Sequence, residues 1–504
     1  MEEYALNLSN MIIQGARYFP DKQAIVFEDT RFTYRELNDS VSLVASYLRD
    51  RGIKRNDQVA LYCENRPEWI MLYYGIIRLG AAVVCVSSAY RSTELEYLLT
   101  DSAPACVVTS ESLVDHIPDI SKISQISDIF VIERDDRLAR LCQKEMSSPE
   151  EPFPSADCDA DDTCVILYTG GTTGIPKGAM LTHRNLLYTA QNVCYHERMV
   201  VEDRGLCFLP LNHVFAGNHI MNSIFHAFGT LVLHKGFDMD EIVSSIEANS
   251  VTRLYAVPTV YIRLLNTPEC HNRLRSVGYS FSAATSMPSE IVRQWNDTFG
   301  LNIHEAYGMT ESSSLVTFNH LYRHKIGSVG TPAGIVEVRI ADNSGKPVPQ
   351  GDEGEILIRG PNVMKGYYNR PEETARAMEG GWLHSGDLGR TDEEGYLHIV
   401  DRIKDMIISG GLNIYPTEVE DVLYRHDFVE ECAVAGLPHE EYGEAVAAFV
   451  RLKSGYEASE SDLIKFCKER MASFKAPKKI VFVKDFPRTP QGKLLKRELR
   501  KYSF

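Results

Sequence analysis

The chain has 504 residues, and its 69 acidic and 53 basic side chains give a net charge of −16. This length predicts about two to four domains with room for a large buried core. A composition of 44% apolar and 24% charged residues excludes wholesale disorder. Because a negative chain repels phosphate backbones and anionic lipid, nucleic acids and membrane surfaces are not expected partners.

The cysteines and the first residues bear on the compartment. Eleven cysteines are scattered without a CxxC pair, which is typical of buried thiols in a reducing environment. The start, MEEYALNLSN, lacks the basic and then apolar pattern of a secretory signal. Arg78 interrupts the apolar stretch YYGIIRLGAAVVCVSSAY well short of the roughly 20 residues that a membrane span needs. We therefore expect a cytoplasmic protein without a transmembrane segment; its oligomeric state stays open, a homodimer included.

Helix-like and strand-like patterns alternate along the first half of the chain. FTYRELNDSVSLVASYLRDRGI has apolar residues at helical spacing, and Thr33 with Glu36 matches a capping box. QVALYCEN and AAVVCVS are predicted strands on either side of the helix WIMLYYGIIRLG, and TLVLHKG and VTRLYAVPTVYIRLL continue the series. Such repetition predicts a parallel, doubly wound α/β architecture.

The pattern changes in the last third of the chain. Between about residues 326 and 399, short strands with the turns DNSG and GDEG predict a small antiparallel sheet or barrel. The segments EVEDVLYRH, ECAVAGLP, AVAAFVRLK and DLIKFCKERM then predict a compact α+β unit. We expect a large domain over 1–401, with doubly wound subdomains and a β-barrel-like sheet, and a mobile α+β domain over 402–504 with its hinge at 402–405.

The strongest local signal is YTGGTTGIPKGAMLTH, which follows an apolar strand. Its glycines allow a tight turn, its threonines offer hydroxyls and its lysine adds positive charge, a combination that suits phosphate groups. It is not the P-loop of kinases and GTPases, because the GK[ST] ending is missing. The alternative is an ordinary glycine turn between strand and helix, without a ligand. The candidate phosphate-binding residues are Thr169, Gly170, Gly171, Thr172, Thr173, Gly174 and Lys177.

This segment resembles the phosphate loop of the adenylate-forming enzymes, which include acyl-CoA synthetases, peptide-synthetase adenylation domains and firefly luciferase. FTYRELN, YGMTE, GWLHSGDLG, DRIKDMIISGGLNIYP and RTPQGKLLKREL resemble further family motifs, the last four in the family's order, so the resemblance covers nearly the whole chain. It implies an ATP-dependent acid–thiol ligase that forms acyl-AMP and pyrophosphate and then transfers the acyl group to coenzyme A. One alternative acceptor is the phosphopantetheine of a carrier protein. Another alternative is a catalytically silent nucleotide- or acyl-binding protein.

The resemblance also implies roles at the phosphates. Glu311 would hold Mg²⁺ together with Thr172, and Thr310 would lie beside the phosphates. A carboxylate suits this hard cation. Lys493, in the motif near the C-terminus, would bridge the carboxylate and the nucleotide during adenylation and withdraw when its domain turns.

The nucleotide itself would be held by residues of three motifs. Tyr307 would stack on adenine, Asp387 would accept hydrogen bonds from the ribose hydroxyls, and Arg402 would also reach the nucleotide. The remaining nucleotide-binding candidates are Ala283, Ala284, Glu305 and Gly308. Ala283 and Ala284 stand where the family usually has two glycines, so their β-carbons should narrow or reshape the acyl tunnel.

Domain rotation and coenzyme A binding are implied for the start of the small domain. Lys404 occupies the family's hinge position, where a few backbone torsions would switch between two active faces. Gly410 and Gly411 match the loop that approaches the pantetheine channel after rotation.

At the acyl end, His213 matches the family's gate residue. The stretch Val214–Ile220 lacks the aspartate that amino-acid-activating relatives carry, which argues against an amino-acid substrate. The apolar and aromatic surroundings suit a fatty, aryl or alicyclic acid. The motifs are most similar to those of bacterial medium- and long-chain fatty acid CoA ligases.

Overall fold

The computed structural model describes residues 6–120, 123, 126–143, 151–170, 176–439, 442–488 and 494–502. Its largest sheet has nine strands. The inner strands are parallel, and antiparallel strands close both edges. In sheet order they are β15 (Thr331–Pro332), β14 (Thr317–Phe318), β13 (Ile303–Tyr307), β12 (Tyr279–Ser282), β11 (Arg253–Ala256), β9 (Arg204–Cys207), β10 (Thr230–Leu233), β1 (Gln23–Phe27) and β2 (Thr30–Thr33).

A second, seven-stranded sheet carries the predicted strands of the first 200 residues. Its order is β18 (Gly366–Tyr367), β8 (Pro176–Thr182), β7 (Thr163–Gly170), β4 (Ala82–Val86), β3 (Gln58–Tyr62), β5 (Cys106–Thr109) and β6 (Asp128–Val131). Neighbouring strands from β7 to β6 pair in parallel, whereas β8 pairs antiparallel with both β7 and β18.

Two smaller sheets follow, as the sequence predicts. A four-stranded antiparallel sheet contains β16 (Glu337–Ala341), β17 (Gly354–Arg359), β19 (Leu383–Thr391) and β20 (Leu397–Arg402). The last sheet contains β22 (Leu412–Ile414), β21 (Ile407–Ser409), β24 (Gly443–Leu452) and β23 (Val429–His439), with β25 (Lys479–Phe482) paired to β24. Together with their helices, these sheets confirm the mixed α/β fold with a smaller α+β unit at the C-terminal end.

The helices pack on the sheets or join their strands. They are α1 (Asn10–Tyr18), α2 (Tyr34–Asp50), α3 (Pro67–Arg78), α4 (Ser92–Ser102), α5 (Asp136–Gln143), α6 (His183–Glu197), α7 (Ser223–His226), α8 (Met239–Ala248), α9 (Pro258–Leu265), α10 (Ser289–Phe299), α11 (Pro371–Ala377), α12 (Pro416–Leu423), α13 (Glu460–Lys468) and α14 (Lys496–Leu499). Within the described ranges, none of them is both long and apolar enough to cross a membrane.

Helices α2 and α3 show how local sequence produces this packing. Thr33 and Glu36 form the predicted capping box at the start of α2, each side chain accepting a hydrogen bond from the other residue's backbone N–H. Every residue of α3 is buried, because this helix is apolar around its circumference. It approaches α2 so closely that a β-carbon at Gly75 would lie 2.3 Å from Val44 Cγ1.

The glycine-rich segment differs from one expectation. It lies between two antiparallel strands, β7 and β8, with Thr169 directly opposite Lys177. The alternative interpretation assumed an ordinary glycine turn between a strand and a helix. That connection is wrong, because the segment joins two strands. Residues 176–182 form a strand whose backbone pairs with β7, and α6 begins only at His183.

Candidate functional site

The candidate site begins where β13 ends and the chain turns tightly. A short 3₁₀ turn, Thr310–Ser312, carries Glu311, whose residue is only 7% exposed. Gly308 permits this turn, because a β-carbon there would lie 1.9 Å from the carbonyl oxygen of Ser314. The motif YGMTE thus places a buried carboxylate at the carboxyl end of a parallel strand, where ligands of open α/β sheets bind.

Two hydroxyl groups converge on one oxygen of this carboxylate. Thr169 Oγ1 donates to Glu311 Oε1 over 3.2 Å, and the hydroxyl of Tyr367 donates to the same atom over 2.9 Å. The ammonium of Lys177 lies 5.2 Å from the centre of the Tyr367 ring. Burial, and then Glu311, raise the pKa of Tyr367 well above its usual range, so its hydroxyl stays protonated.

The structure therefore brings three of the candidates, Thr169, Lys177 and Glu311, into one cluster. Thr310 lies beside them on the 3₁₀ turn, and Gly170 is the last residue of β7. The rest of the candidate phosphate loop, Gly171, Thr172, Thr173 and Gly174, lies outside the described residues, as does Lys493.

The donor set fits Mg²⁺ held together with a substrate. No group of three or more His, Cys, Asp or Glu side chains that could hold a metal occurs within the part of the chain that the structure describes. Glu311 offers a single buried carboxylate. Proteins commonly hold Mg²⁺ through one or two carboxylates together with substrate phosphates, which is the arrangement this site permits.

The nucleotide candidates form a second cluster. The hydroxyl of Tyr307 donates to Asp387 Oδ2 over 2.7 Å, and Arg402 Nε lies 3.4 Å from Asp387 Oδ1. Ser385 Oγ accepts a bond from the backbone N–H of Asp387, which helps to fix this turn. Burial, followed by Asp387, raises the pKa of Tyr307 well above its usual range. The structure therefore joins the residues predicted for adenine, ribose and the arginine contact.

Glu305 lies in the middle of β13, two residues before Tyr307, but has a different environment. It is 7% exposed, and its Oε2 atom has no hydrogen-bond partner among the described residues. Burial raises the pKa of Glu305 to about 8; the Met287 backbone N–H opposes this shift and Asp421 adds to it. At neutral pH this side chain is largely a neutral acid, able to donate as well as accept a hydrogen bond.

Ala283 and Ala284 follow β12 and differ in backbone conformation. Ala284 has φ +75°, the left-handed region that favours glycine, whereas Ala283 has an ordinary negative φ. Ala283 packs against the main hydrophobic core, and Ala284 is exposed. The alanine at position 284 is therefore held in a conformation that costs energy for any residue with a β-carbon.

His213 begins a segment that forms a buried wall against β12, where the rings of Phe215 and Phe281 lie 5.8 Å apart between centroids. Its Nδ1 atom accepts a hydrogen bond from the Phe215 backbone N–H, and a π-helix, Phe215–Asn222, follows. Asn218 donates to the Ser313 carbonyl oxygen over 2.8 Å, which ties this helix to the turn that carries Glu311. The helix is fully buried, as its apolar sequence predicts.

A buried charged cluster lies behind this wall, and sequence reasoning missed it. Glu197, with 0% exposure, accepts bonds from Tyr255 over 2.6 Å and from Arg253 over 3.4 Å, and it contacts His219 Nε2 over 2.8 Å. The His219 ring lies 4.4 Å from the ring of Phe281 at the end of β12. No motif joins these residues, because they come together only when α6, the π-helix and β11 pack.

The predicted hinge coincides with the end of a strand. Strand β20 ends at Arg402, and residues 403–405 form a turn. The Lys404 carbonyl oxygen accepts a bond from Arg500 over 3.4 Å. Gly410 and Gly411 form the exposed turn between β21 and β22, both with positive φ, and the Gly410 N–H bonds to the Tyr442 carbonyl oxygen. This turn contacts its own α+β unit through that bond.

Contacts also cross the hinge. The Thr417 hydroxyl donates to the Val400 carbonyl oxygen over 2.5 Å, and its backbone N–H donates to Asp401 Oδ2 over 3.3 Å. Burial raises the pKa of Asp401 to about 6, while Lys496 opposes the shift. The α+β unit is therefore held against β20 in the observed arrangement.

Tyr367 is the main site residue that the sequence did not reveal. It belongs to the segment GPNVMKGYYNRPEET, whose pattern indicates family similarity but no role for either tyrosine. The available signal was its place in this family-like segment. Alone, that signal does not identify the partner carboxylate.

Comparison with known proteins finds two family models that together match most of the chain. The model of the AMP-binding enzymes matches residues 13–368, and that of the AMP-binding enzyme C-terminal domain matches residues 418–493.

Individual proteins resemble the chain over nearly its full length. A feruloyl-CoA synthase of an Amycolatopsis species is 35% identical over 497 residues, covering 98% of each chain. A long-chain-fatty-acid–CoA ligase of Bacillus subtilis is 34% identical over 526 residues, covering 98% of this chain and 94% of the relative. The crystal structure of the anthranilate CoA ligase AuaEII with anthranoyl-AMP superposes with a TM-score of 0.92 at 26% identity, covering 98% and 96% of the two chains.

Proposed function

Because the chain belongs to the family of AMP-binding enzymes and is an AMP-forming acid–CoA ligase, we propose that the cleft around Glu311 carries out its chemistry. The enzyme activates a carboxylic acid as acyl-AMP with release of pyrophosphate and then transfers the acyl group to coenzyme A. ATP and coenzyme A are its other substrates. Both reactants of the first step are anions, so catalysis depends on positioning and charge neutralisation.

The phosphates of ATP lie, in our proposal, between the glycine-rich loop and Glu311. A bound Mg²⁺ would neutralise charge on the transferred phosphate and on pyrophosphate. Thr169 and Glu311 support this placement because they are already in contact at 3.2 Å. Lys177 adds a fixed positive charge on the strand after the loop, and Thr172 completes the proposed metal site.

The nucleoside is bound by the Tyr307–Asp387–Arg402 cluster. Asp387 offers the acceptor that ribose hydroxyls need, and Tyr307 offers an aromatic face to adenine. The buried acid of Glu305 lies two residues before Tyr307 on β13, and Gly308 directly follows this strand. Tyr307 on β13 contacts Asp387 on β19, and Arg402 on β20 lies beside the same carboxylate, which supports a single nucleotide site.

Two further proposals concern the small domain. Lys493 assists adenylation by neutralising charge between the acid and the α-phosphate. We then expect the domain over 402–504 to rotate about Lys404, so that the turn of Gly410 and Gly411 reaches the cleft for transfer to coenzyme A. The exposure of that turn in the observed arrangement supports two separate working positions.

For the acid substrate we infer an aryl carboxylic acid. The carrying observation is the aromatic packing between β12 and the π-helix that follows His213, where the His219 and Phe281 ring centroids lie 4.4 Å apart. Phe215 lies 5.8 Å from Phe281 and extends this aromatic lining. A flat aryl acid packs against such faces, whereas a long alkyl chain needs an open tunnel past them. Similarity to a feruloyl-CoA synthase and an anthranilate CoA ligase supports the same class.

A substrate panel tests this assignment. Purified enzyme is supplied with ATP, Mg²⁺, coenzyme A and either ferulate, benzoate, octanoate or palmitate, and acyl-CoA and AMP are quantified together. We expect kcat/KM for an aryl acid to exceed that for palmitate by roughly tenfold or more. A preference for palmitate would favour a fatty acid substrate instead. Replacing coenzyme A by a phosphopantetheinylated carrier protein should give little thioester and little AMP, because AMP leaves acyl-AMP only when a thiol attacks it.

We also infer a cytoplasmic location from the chemistry of the chain. Ten cysteines in the described ranges are free thiols, nine of them buried, as expected in a reducing compartment that supplies ATP and coenzyme A.

A further inference from the structure

Tyr367 joins two parts of the site that the assigned roles leave separate. Its hydroxyl donates to Glu311 Oε1 over 2.9 Å, while its ring lies under the Lys177 ammonium at 5.2 Å. Glu311 follows β13 in the nine-stranded sheet, and Lys177 lies on β8 in the seven-stranded sheet. One side chain therefore contacts the candidate metal carboxylate and the strand that leaves the phosphate loop.

The segment 361–368 fixes this junction through the backbone as well. Its Lys365 and Tyr368 N–H groups bond to carbonyl oxygens of β8 at 2.9 and 2.8 Å. On the opposite side, the Met364 N–H bonds to the Glu311 carbonyl oxygen at 2.8 Å. The same short segment thus holds both the backbone of Glu311 and, through Tyr367, its carboxylate.

The Tyr367 side chain is itself well constrained. Its backbone N–H bonds to Thr374 Oγ1 over 2.9 Å, and Tyr367 pairs with Ala179 across the sheet. An aromatic side chain has only two rotatable torsions, so a fixed backbone and a packed ring leave its hydroxyl in one place. Glu311, with three torsions, needs such a partner to keep one orientation.

The two hydroxyl groups that bond to Glu311 contact only one of its carboxylate oxygens. The bonds from Thr169 and Tyr367 both fall on Oε1, and neither involves Oε2. A carboxylate held in this way by two donors at one oxygen presents the other oxygen in a defined direction. Groups that orient a metal ligand through hydrogen bonds are a general feature of metal sites.

We propose that Tyr367 is a positioning residue for adenylation, whose hydroxyl orients Glu311 so that its second oxygen faces the Mg²⁺ bound with ATP. The proposal rests on the proposed role of Glu311 as a metal ligand. Tyr367 itself touches neither substrate nor metal in this account. Lys177 packs on the ring and keeps it beside the phosphate loop.

The test compares Tyr367→Phe with Tyr368→Phe in the full-length enzyme. The first variant keeps the ring over which Lys177 lies and removes only the hydroxyl bond to Glu311. The second removes a neighbouring hydroxyl from a residue that packs against a different apolar cluster. Mn²⁺ binding to the enzyme with α,β-methylene-ATP is measured by electron paramagnetic resonance, and metal-free AMP binding counts the folded sites.

We expect Tyr367→Phe to weaken Mn²⁺ binding roughly 10- to 100-fold. The Mg²⁺ concentration for half-maximal pyrophosphate exchange should rise in parallel, with AMP binding unchanged. Tyr368→Phe should match the wild type in all three measurements. Unchanged Mn²⁺ binding in Tyr367→Phe would overturn the proposal, and so would equal losses of Mn²⁺ and AMP binding, which indicate a general structural role.

A third variant separates this proposal from its premise. Glu311→Gln should lose Mn²⁺ binding at least as severely as Tyr367→Phe. If Glu311→Gln binds Mn²⁺ normally, the metal assignment of Glu311 fails and the positioning role fails with it. If Glu311→Gln is impaired while Tyr367→Phe is normal, only the positioning role is overturned.

Discussion

The hydroxyl of Tyr307 donates to Asp387 Oδ2 over 2.7 Å, so the residue assigned to adenine also holds the residue assigned to ribose. The two lie 80 positions apart in sequence, on β13 and β19. Because Arg402 Nε lies near the other oxygen of the same carboxylate at 3.4 Å, Asp387 is fixed from two sides. The pocket that we propose for the nucleotide is therefore organised without a ligand.

Tyr307→Phe tests this organisation. Removing the hydroxyl leaves Asp387 one fewer donor, and we expect ATP affinity to fall about tenfold, the effect of a hydrogen bond to a charged group. Isothermal titration with ATP measures it. Tyr396→Phe, which removes a 2.7 Å bond to the Arg323 carbonyl oxygen, is the matched control and should leave ATP affinity unchanged. Equal effects of the two variants would contradict the role of Tyr307.

Glu305 predicts a specific pH dependence of stability. Its pKa is raised from an ordinary 4.5 to about 8 by burial, so the folded protein binds a proton that the unfolded chain has released between these values. Proton binding by Glu305 therefore contributes to the free energy of unfolding in full below about pH 4.5. As the pH rises from there to about 8, the free energy of unfolding falls by up to roughly 1.4 kcal/mol per pH unit. Glu305→Gln stays neutral and should not show it.

Urea unfolding at several pH values compares the two proteins. The difference in unfolding free energy between Glu305→Gln and the wild type should grow in favour of the variant from pH 5 to pH 8. Parallel pH profiles would show that Glu305 titrates with an ordinary pKa in the folded protein.

Ala284 provides a prediction about backbone strain. At φ +75° a β-carbon costs roughly 1–2 kcal/mol, whereas glycine adds about 0.4–1 kcal/mol of unfolded-state entropy. Ala284→Gly should therefore stabilise the protein by about 0.5 kcal/mol. Ala283→Gly, at a negative φ, should destabilise it by about 0.4–1 kcal/mol. Thermal unfolding of both variants measures the contrast, and destabilisation of the same size at both positions would refute it.

The buried Glu197 cluster should matter for stability far more than surface ion pairs do. Glu197→Gln leaves Arg253 and His219 without their shared carboxylate in a water-free interior, so we expect a loss of about 3 kcal/mol. Glu247→Gln breaks the exposed pair with Arg273 and should cost under about 1 kcal/mol. Denaturant unfolding measures both changes. Similar small losses would mean that the cluster contributes little.

Much of the fold could be predicted from local sequence, and so could several residues of the candidate nucleotide site. Periodicity located α2, α3 and the strands around them, because burial on one or all faces dictates apolar spacing. The motifs placed Glu311, Asp387 and Tyr307, and the structure joins the last two directly.

Contacts between distant segments could not be predicted in the same way. Tyr367 and Glu311 are 56 positions apart, and they meet through the pairing of β18 with β8 and the bond from the Met364 N–H to the Glu311 carbonyl oxygen. Glu197 and Arg253 are likewise 56 apart and meet through helix packing. The left-handed backbone of Ala284 could not be predicted either, since an alanine in the sequence does not indicate a positive φ.

The most direct test of the central claim separates the two half-reactions of Glu311→Gln. Acid-dependent ATP–pyrophosphate exchange measures adenylation, and coenzyme A transfer from supplied acyl-AMP measures thioester formation. We expect exchange to fall by roughly 100-fold or more. Because pyrophosphate has left before the thiol attacks, transfer should stay within a few-fold of the wild type. Equal losses in both half-reactions would contradict a role for Glu311 at the departing phosphates.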